Sequence, residues 1–350
     1  MQDYYVIKTL FITGFAFVFT ILWTPLLTNL LYKYKIGKQI RNDGTTPIFS
    51  VLHAHKSGTP TMGGLLIWVT VSIFSIVFFI FSEIFSLDFF KNLNFLSRSE
   101  TLLPLGVLIA TGLIGLFDDW LDVRGKGVKG GGGLKIWHRL IIFAVVAMIG
   151  AWWFYFKLGW DFFHVPFLGN YEVGWLYIPI FIFVIFATSF SVNETDGLDG
   201  LAGGALLTSF AAYAVIAFAN GKYDLSVFCG CIVGALLAFL WFNVNPARFY
   251  MGDTGSMSLG VTLGVIAMLT NSAMILPIIG SIFVIESLSV IIQLLSKKLR
   301  HGRKIFVSSP FHHHLEAKGW SEPKIVMRFW IISGVSAVIG LIIFMLDKTI

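Results

Sequence analysis

The sequence predicts an all-α polytopic integral membrane protein of ten transmembrane helices, with a cytoplasmic-face cleft and a short outer β-hairpin. Three observations predict it. Hydrophobic residues make up 56% of the chain and charged residues 13%, with a mean hydropathy of +0.81. A soluble domain is nearer a quarter charged. Long charge-free runs recur along the chain, and its Lys and Arg residues fall mostly on alternate loops.

The runs that can cross roughly 30 Å of hydrocarbon are 9–31, 65–82, 101–117, 140–156, 173–193, 200–221, 225–247, 254–270, 273–296 and 329–346. The first is too long, and lacks a small-residue cleavage site, for a signal peptide. The eighth and ninth form one apolar stretch with a single charge, Glu286, and the turn between them is expected at Asn271-Ser272. Between the fourth and fifth, Gly159, Pro166, Gly169-Asn170 and Gly174 punctuate an aromatic segment as a hairpin would. Cys229 and Cys231 lie two apart in an apolar run on divergent helix faces, and are expected as small core hydrophobes. Residues 1–350 are read as one membrane-embedded domain.

Lys8, Lys91, Arg98, Lys157, Lys222 and Lys348 fall on one side, and the other 19 of the 25 basic residues on the opposite side. The positive-inside rule makes the rich side cytoplasmic and puts both termini outside. A net charge of +6 then needs no nucleic acid. It suits anionic lipid and phosphorylated ligands.

Five polar stretches fall on that cytoplasmic side: His53 to Gly64, Asp118 to Arg139, Asn193 to Asp199, Asn243 to Ser256 and Ser309 to Glu316. Such groups are expensive near a bilayer, so their gathering at one face points to a site. Asp118 and Asp119 project about 100° apart on a helix, so they serve different partners. Asn193, Asp196 and Asp199, spaced i, i+3, i+6, stack on one face if the helical turn continues, as hard oxygen donors for Mg²⁺ or for hydroxyl and amide groups. Asp253 sits where a helix begins, with Thr254 and Ser256 able to cap it, at a terminus that favours phosphate. His312, His313 and His314 suit phosphate and carboxylate oxygens. Zinc is disfavoured there, with no Cys or spaced His nearby. Lys56 beside a Gly/Thr-rich turn is phosphate-friendly, without being a Walker loop. Together these groups read as phosphoryl transfer to a membrane-embedded partner. A transporter would need polar groups along the spans, where only Glu286 and Gln293 sit. A scaffold would need none of the five motifs.

The strings GTPTMGG, GLFDD, NETDGLDGLAGG, FYMGDTGSMSLG and SPFHHHLE resemble those of the phospho-N-acetylmuramoyl-pentapeptide-transferase family, within the polyprenyl-phosphate N-acetylhexosamine-1-phosphate transferases. The resemblance runs from about Lys56 to Arg328. It implies a multi-pass protein of the bacterial inner membrane with its active site in the cytoplasm. UDP-N-acetylmuramoyl-pentapeptide and undecaprenyl phosphate would be its substrates, Mg²⁺ its cofactor and lipid I and UMP its products. A sister enzyme using UDP-N-acetylglucosamine is the alternative. The resemblance assigns catalysis to Asp118, Asp119 and Asp253, with Asp253 as the metal ligand. It assigns substrate binding to Lys56, Lys135, Asn193, Asp196, Asp199, Asn243, His312, His313 and His314. It also implies homodimers through outward-facing helices. Family members often carry Lys three residues after the Asp-Asp pair. Asp122 holds that place here, and Arg124 or Lys126 would supply the charge instead.

Overall fold

The structure is a computed structural model that describes residues 2–34, 36–37, 58–85, 87–125, 133–134 and 136–349. It is mostly helical. In chain order the helices are α1 (Gln2–Lys33), α2 (Leu65–Ile84), α3 (Asp88–Leu93), α4 (Leu102–Val123), α5 (Ile136–Trp152), α6 (Tyr177–Thr195), α7 (Leu201–Ala219), α8 (Tyr223–Asn243), α9 (Gly252–Leu269), α10 (Leu276–Ile279), α11 (Ser281–Leu299), α12 (Phe311–Ala317) and α13 (Glu322–Thr349). Strands β1 (Phe162–Val165) and β2 (Gly169–Glu172) pair antiparallel in the expected segment, with Phe163 opposite Tyr171.

Among the described residues, nine helical segments are long and apolar enough to cross a membrane. The expected span 273–296 is not one continuous helix. Pro277 starts the single turn of α10, the chain bends at Gly280, and α11 follows. Helix α11 turns a polar face inward, burying Glu286, Ser287, Ser289, Gln293 and Ser296, while Leu288, Leu294, Leu295 and Leu299 point outward. The turn after α9 falls where expected, with Asn271 at φ 52°, a conformation Asn tolerates better than most residues. Cys229 and Cys231 are buried and unpaired within α8.

Helix α9 is the centre of the bundle. Every residue of it is buried except Asp253 at its start, which is half-buried. Helices α4 and α6 pack along it, and α2 meets its first turn. Lipid tails are as apolar as leucine, so helices in a membrane associate through close packing of small residues. That is how the start of α9 is held. A Cβ on Gly64 would run into the Cα and N of Gly255, and one on Gly115 into the backbone of Asp253 and Thr254.

Gly115→Ala therefore pushes α4 off the start of α9, against backbone that cannot rotate away. Overpacking of this kind costs about 1–3 kcal/mol, and a shift near 1 Å costs about 100-fold in rate. Gly106→Ala lies on the same helix and meets nothing within 4 Å. The expected result is a lowered thermal midpoint and lowered turnover for Gly115→Ala, with Gly106→Ala like the parent in both.

Candidate active site

The site is built around the first turn of α9. The first-turn N–H groups of a helix have no partner within it, and they carry partial positive charge. Neither Thr254 nor Ser256 caps α9, contrary to the sequence expectation. The Asp119 carboxylate of α4 accepts from Asp253 N (3.1 Å) and Thr254 N (3.0 Å), and Thr61 Oγ1 donates to it at 3.4 Å. Thr254 Oγ1 instead donates to Gly112 O (2.8 Å) and accepts from Trp68 Nε1 (3.0 Å). Ser256 Oγ accepts from Asn193 Nδ2 (3.0 Å). The cap comes from another helix because α4 and α9 touch at glycine, which brings Asp119 over the terminus.

Asp118 points elsewhere, as adjacent helical positions must. It is fully buried, and its Oδ1 accepts the Leu134 backbone N–H. The neighbouring Gly133 makes this approach possible, because a Cβ there would strike the carboxylate. Asp118 Oδ2 lies 2.7 Å from an Arg139 guanidinium nitrogen, and Asp253 Oδ2 lies 2.7 Å from the same nitrogen. Asn193 Nδ2 donates to the other oxygen of Asp253 at 2.7 Å. Helices α4, α5, α6 and α9 thus deliver Asp118, Arg139, Asn193 and Asp253 to one point.

Asn193, Asp196 and Asp199 do not share a helical face. Helix α6 stops at Thr195, Asp196 caps it with φ −78° and ψ 52°, and the chain turns away. Asp199 Oδ2 accepts from Asn245 Nδ2 (3.0 Å) and Ala247 N (3.1 Å), and its own N–H donates to Glu322 (2.6 Å). Asn243 accepts from Gly200 N (3.0 Å) and donates to Phe249 O (2.8 Å). Asp199 and Asn243 therefore shape the segment leading into Asp253, while Asn193 reaches Asp253 itself.

The three histidines lie on α12 and take different partners. His312 is fully buried, and its Nδ1 meets Glu286 Oε2 at 2.9 Å. Burial alone would lower its pKa. The Glu286 carboxylate, with Glu316 and Glu194 near, outweighs that and raises it above the ordinary histidine value. His313 Nδ1 meets Glu316 at 2.7 Å. His314 Nδ1 accepts from Val307 N at 3.1 Å, and burial with the Lys318 charge lowers its pKa. Glu286 and Gln293, the two polar residues expected inside a span, both serve this loop. Gln293 accepts from Ile305 N and Phe306 N, each at 3.0 Å.

Two apolar hollows open between the helices. One, of about 380 Å³, lies between α6, α9 and α11 and reaches Val192, next to Asn193. The other, of about 470 Å³, lies between α4 and α5 beside Leu134 and His138.

The Glycosyl transferase family 4 model matches residues 101–271, and the phospho-N-acetylmuramoyl-pentapeptide-transferase signature 1 matches residues 56–67. A phospho-N-acetylmuramoyl-pentapeptide-transferase of Clostridium novyi is 40% identical over 328 residues, covering 93% of each chain. One of Chloroflexus aggregans is 37% identical over 346 residues, covering 95% of this chain and 89% of its own. The chain belongs to the phospho-N-acetylmuramoyl-pentapeptide-transferase family. A further member, from Anoxybacillus flavithermus, is 38% identical over 335 residues and is covered over 97% of its length.

Of the site residues expected from the family resemblance, Lys56 and Lys135 lie outside the described residues, as do His53, His55, Lys126 and Lys129. Arg124 is exposed and stacks over Trp120 at 5.3 Å. The cation between the carboxylates is Arg139, which sequence reading placed only among the basic residues of its loop. Its one signal is its place in the first turn of a span that follows an acidic pair. Among the described residues no three His, Cys, Asp or Glu side chains group as a metal site.

Proposed function

We propose that the chain transfers the phospho-N-acetylmuramoyl-pentapeptide group from UDP-N-acetylmuramoyl-pentapeptide to undecaprenyl phosphate, giving lipid I and UMP in peptidoglycan synthesis. The observation that carries this reading is the similarity, over nearly the whole length of both chains, to transferases named for that group. The convergence of Asp118, Asp253, Arg139 and Asn193 supports it with chemistry that suits phosphoryl transfer.

A phosphate monoester has a second pKa near ~6, so the prenyl phosphate is mostly dianionic at neutral pH. It is already a competent nucleophile. Its oxygen attacks the sugar-linked phosphorus, and the bond from that phosphorus to UMP breaks. The protein's part is positioning and charge neutralisation. Asp118 takes the proton from any lipid phosphate that arrives as the monoanion. Asn193 holds Asp253 in place, and Lys56 and Lys135 offer charge to the diphosphate. Asp196, His313 and His314 are assigned to the nucleotide-sugar. The hollow between α4 and α5 gives the prenyl chain a place between helices beside Leu134, whose backbone N–H meets Asp118.

Magnesium fits these residues. Asp118 and Asp253 each turn one oxygen to the same positive centre, 2.7 Å away in both cases. The ion commonly uses one or two carboxylates and completes its shell with substrate phosphate and water. Asp253, with Asp118 beside it, would hold it. When bound it would neutralise the diphosphate and stabilise UMP as leaving group.

The deciding experiment supplies purified protein with undecaprenyl phosphate, Mg²⁺ and either UDP-N-acetylmuramoyl-pentapeptide or UDP-N-acetylglucosamine. Lipid I and UMP from the first donor alone support the reading. Product from the second alone assigns the sister reaction, and none from either refutes transfer.

We also read α10 and α11 as the tenth crossing, the carboxylates as cytoplasmic, both termini as outside and the protein as a homodimer in the inner membrane. The 19-to-6 division of basic residues supports the orientation. In intact cells an impermeant thiol reagent is expected to label Asn94→Cys and to leave Ser309→Cys unlabelled. The reverse pattern overturns the orientation.

A further inference from the structure

Glu286 is the single charge in the apolar stretch 254–296, which holds α9 after Asp253, α10 and most of α11. It is fully buried, as is His312, and its Oε2 accepts both the His312 backbone N–H (3.3 Å) and Nδ1 (2.9 Å). Two donors from one residue fix the imidazole ring in orientation as well as in place. The other ring nitrogen, Nε2, is buried and makes no hydrogen bond among the described residues. It faces the turn after α6, because a Cβ on Gly197 would collide with it. That turn carries Asp196, and Asn193 lies in the last turn of α6 before it. The groups whose charge reaches His312 are Glu286 from α11, Glu316 from α12 and Glu194 from α6, and the His313 ring lies 4.1 Å away. Glu194 makes no hydrogen bond or ion pair among the described residues.

We propose that Glu286 is a positioning residue for the transfer: it holds His312 with Nδ1–H toward itself and keeps the ring cationic, so that Nε2–H is aimed at the Glu194–Gly197 turn to receive an anionic oxygen of the nucleotide-sugar diphosphate. The inference rests on the proposed transferase reading for the identity of that ligand. Its geometry does not. A carboxylate that only stapled α11 to α12 would need neither a charge nor a ring nitrogen left over. The raised His312 pKa agrees with a ring that stays protonated near neutral pH.

Glu286→Gln separates the two roles. A glutamine oxygen still accepts both N–H groups, so the staple and the fold survive. The charge is lost, and an opposite charge at this range shifts a pKa by about 1–3 units. In the parent, kcat/KM for UDP-N-acetylmuramoyl-pentapeptide is expected to fall on the alkaline side as His312 loses its proton. In Glu286→Gln that limb moves about 1–3 pH units toward acid, with the KM for undecaprenyl phosphate unchanged. Histidine labelled with ¹⁵N, assigned by the signal lost in His312→Gln, gives the ring state without substrate. The expected spectrum has Nδ1 protonated and a midpoint above the ordinary histidine value. Superimposable pH profiles for parent and Glu286→Gln overturn the proposal. So does an unprotonated Nδ1 in the parent, which decides the matter even if the variant fails to fold. If the parent transfers nothing from either UDP-sugar, the transferase reading fails, while the ¹⁵N titration still tests the hold of Glu286 on His312.

Discussion

Asp253→Asn is expected to lower turnover by at least ~100-fold, the scale of losing one preorganised electrostatic element, while leaving the fold intact. Asp253 is the one residue of α9 that is not buried. One oxygen meets Arg139 at 2.7 Å and the other accepts from Asn193 at 2.7 Å. The amide has the same shape and keeps one acceptor. The backbone N–H of residue 253 remains capped by Asp119, so the helix start is undisturbed. What disappears is the negative charge that balances Arg139 and that would hold a magnesium ion. Initial rates with saturating substrates, beside thermal unfolding in detergent, check the result. A well-folded variant with parental turnover would refute the assignment.

Asp118→Asn and Asp119→Asn are expected to fail in different ways. In Asp119→Asn the single amide oxygen cannot serve both Asp253 N and Thr254 N, and the amide NH₂ faces donors. Loss of an N-cap costs about 0.5–2 kcal/mol, so the thermal midpoint falls, and activity falls by a similar factor at every pH as Asp253 shifts. Asp118→Asn leaves that cap whole and removes a proton acceptor, worth about 10²–10⁴-fold. Its deficit is greatest below pH ~6, where the lipid phosphate is a monoanion, and shrinks as the dianion takes over. Parallel pH profiles with equal midpoints would refute separate roles.

The division between the two aspartates was legible because helix geometry separates neighbouring side chains whatever they touch. So was the start of a helix at Asp253, and so was the hairpin, from its glycines and Pro166. Arg139 was not legible as a bridge. Its partners lie 21 residues before it and 114 after it, and no local pattern encodes a meeting set by α4, α5 and α9. The reading of Asp199 failed for a related reason. Spacing of three and six implies a shared face only if the helix continues, and Thr195 ends it. Glu286 stood out as a charge in an apolar run, but its partner lies 26 residues on, beyond a basic loop. The break at Gly280 was hidden because hydropathy averages over a bend.

The pairing of Glu286 with His312 also bears on how the chain is made. Helix α11 leaves the ribosome before its partner, and 26 residues at roughly 5–20 per second take roughly one to five seconds. During that interval its carboxyl group lacks the His312 imidazole, and a charged side chain within a crossing opposes insertion, by up to about 2.5–3.5 kcal/mol at a helix centre on the translocon scale. Helices α6 and α9, synthesised earlier, are already present, and α6 packs against α11 in the finished protein. On the proposed reading of α10 and α11 as a crossing, insertion of this late segment is coupled to docking on the earlier part of the bundle, and its biogenesis is completed only when the loop that follows folds back onto it.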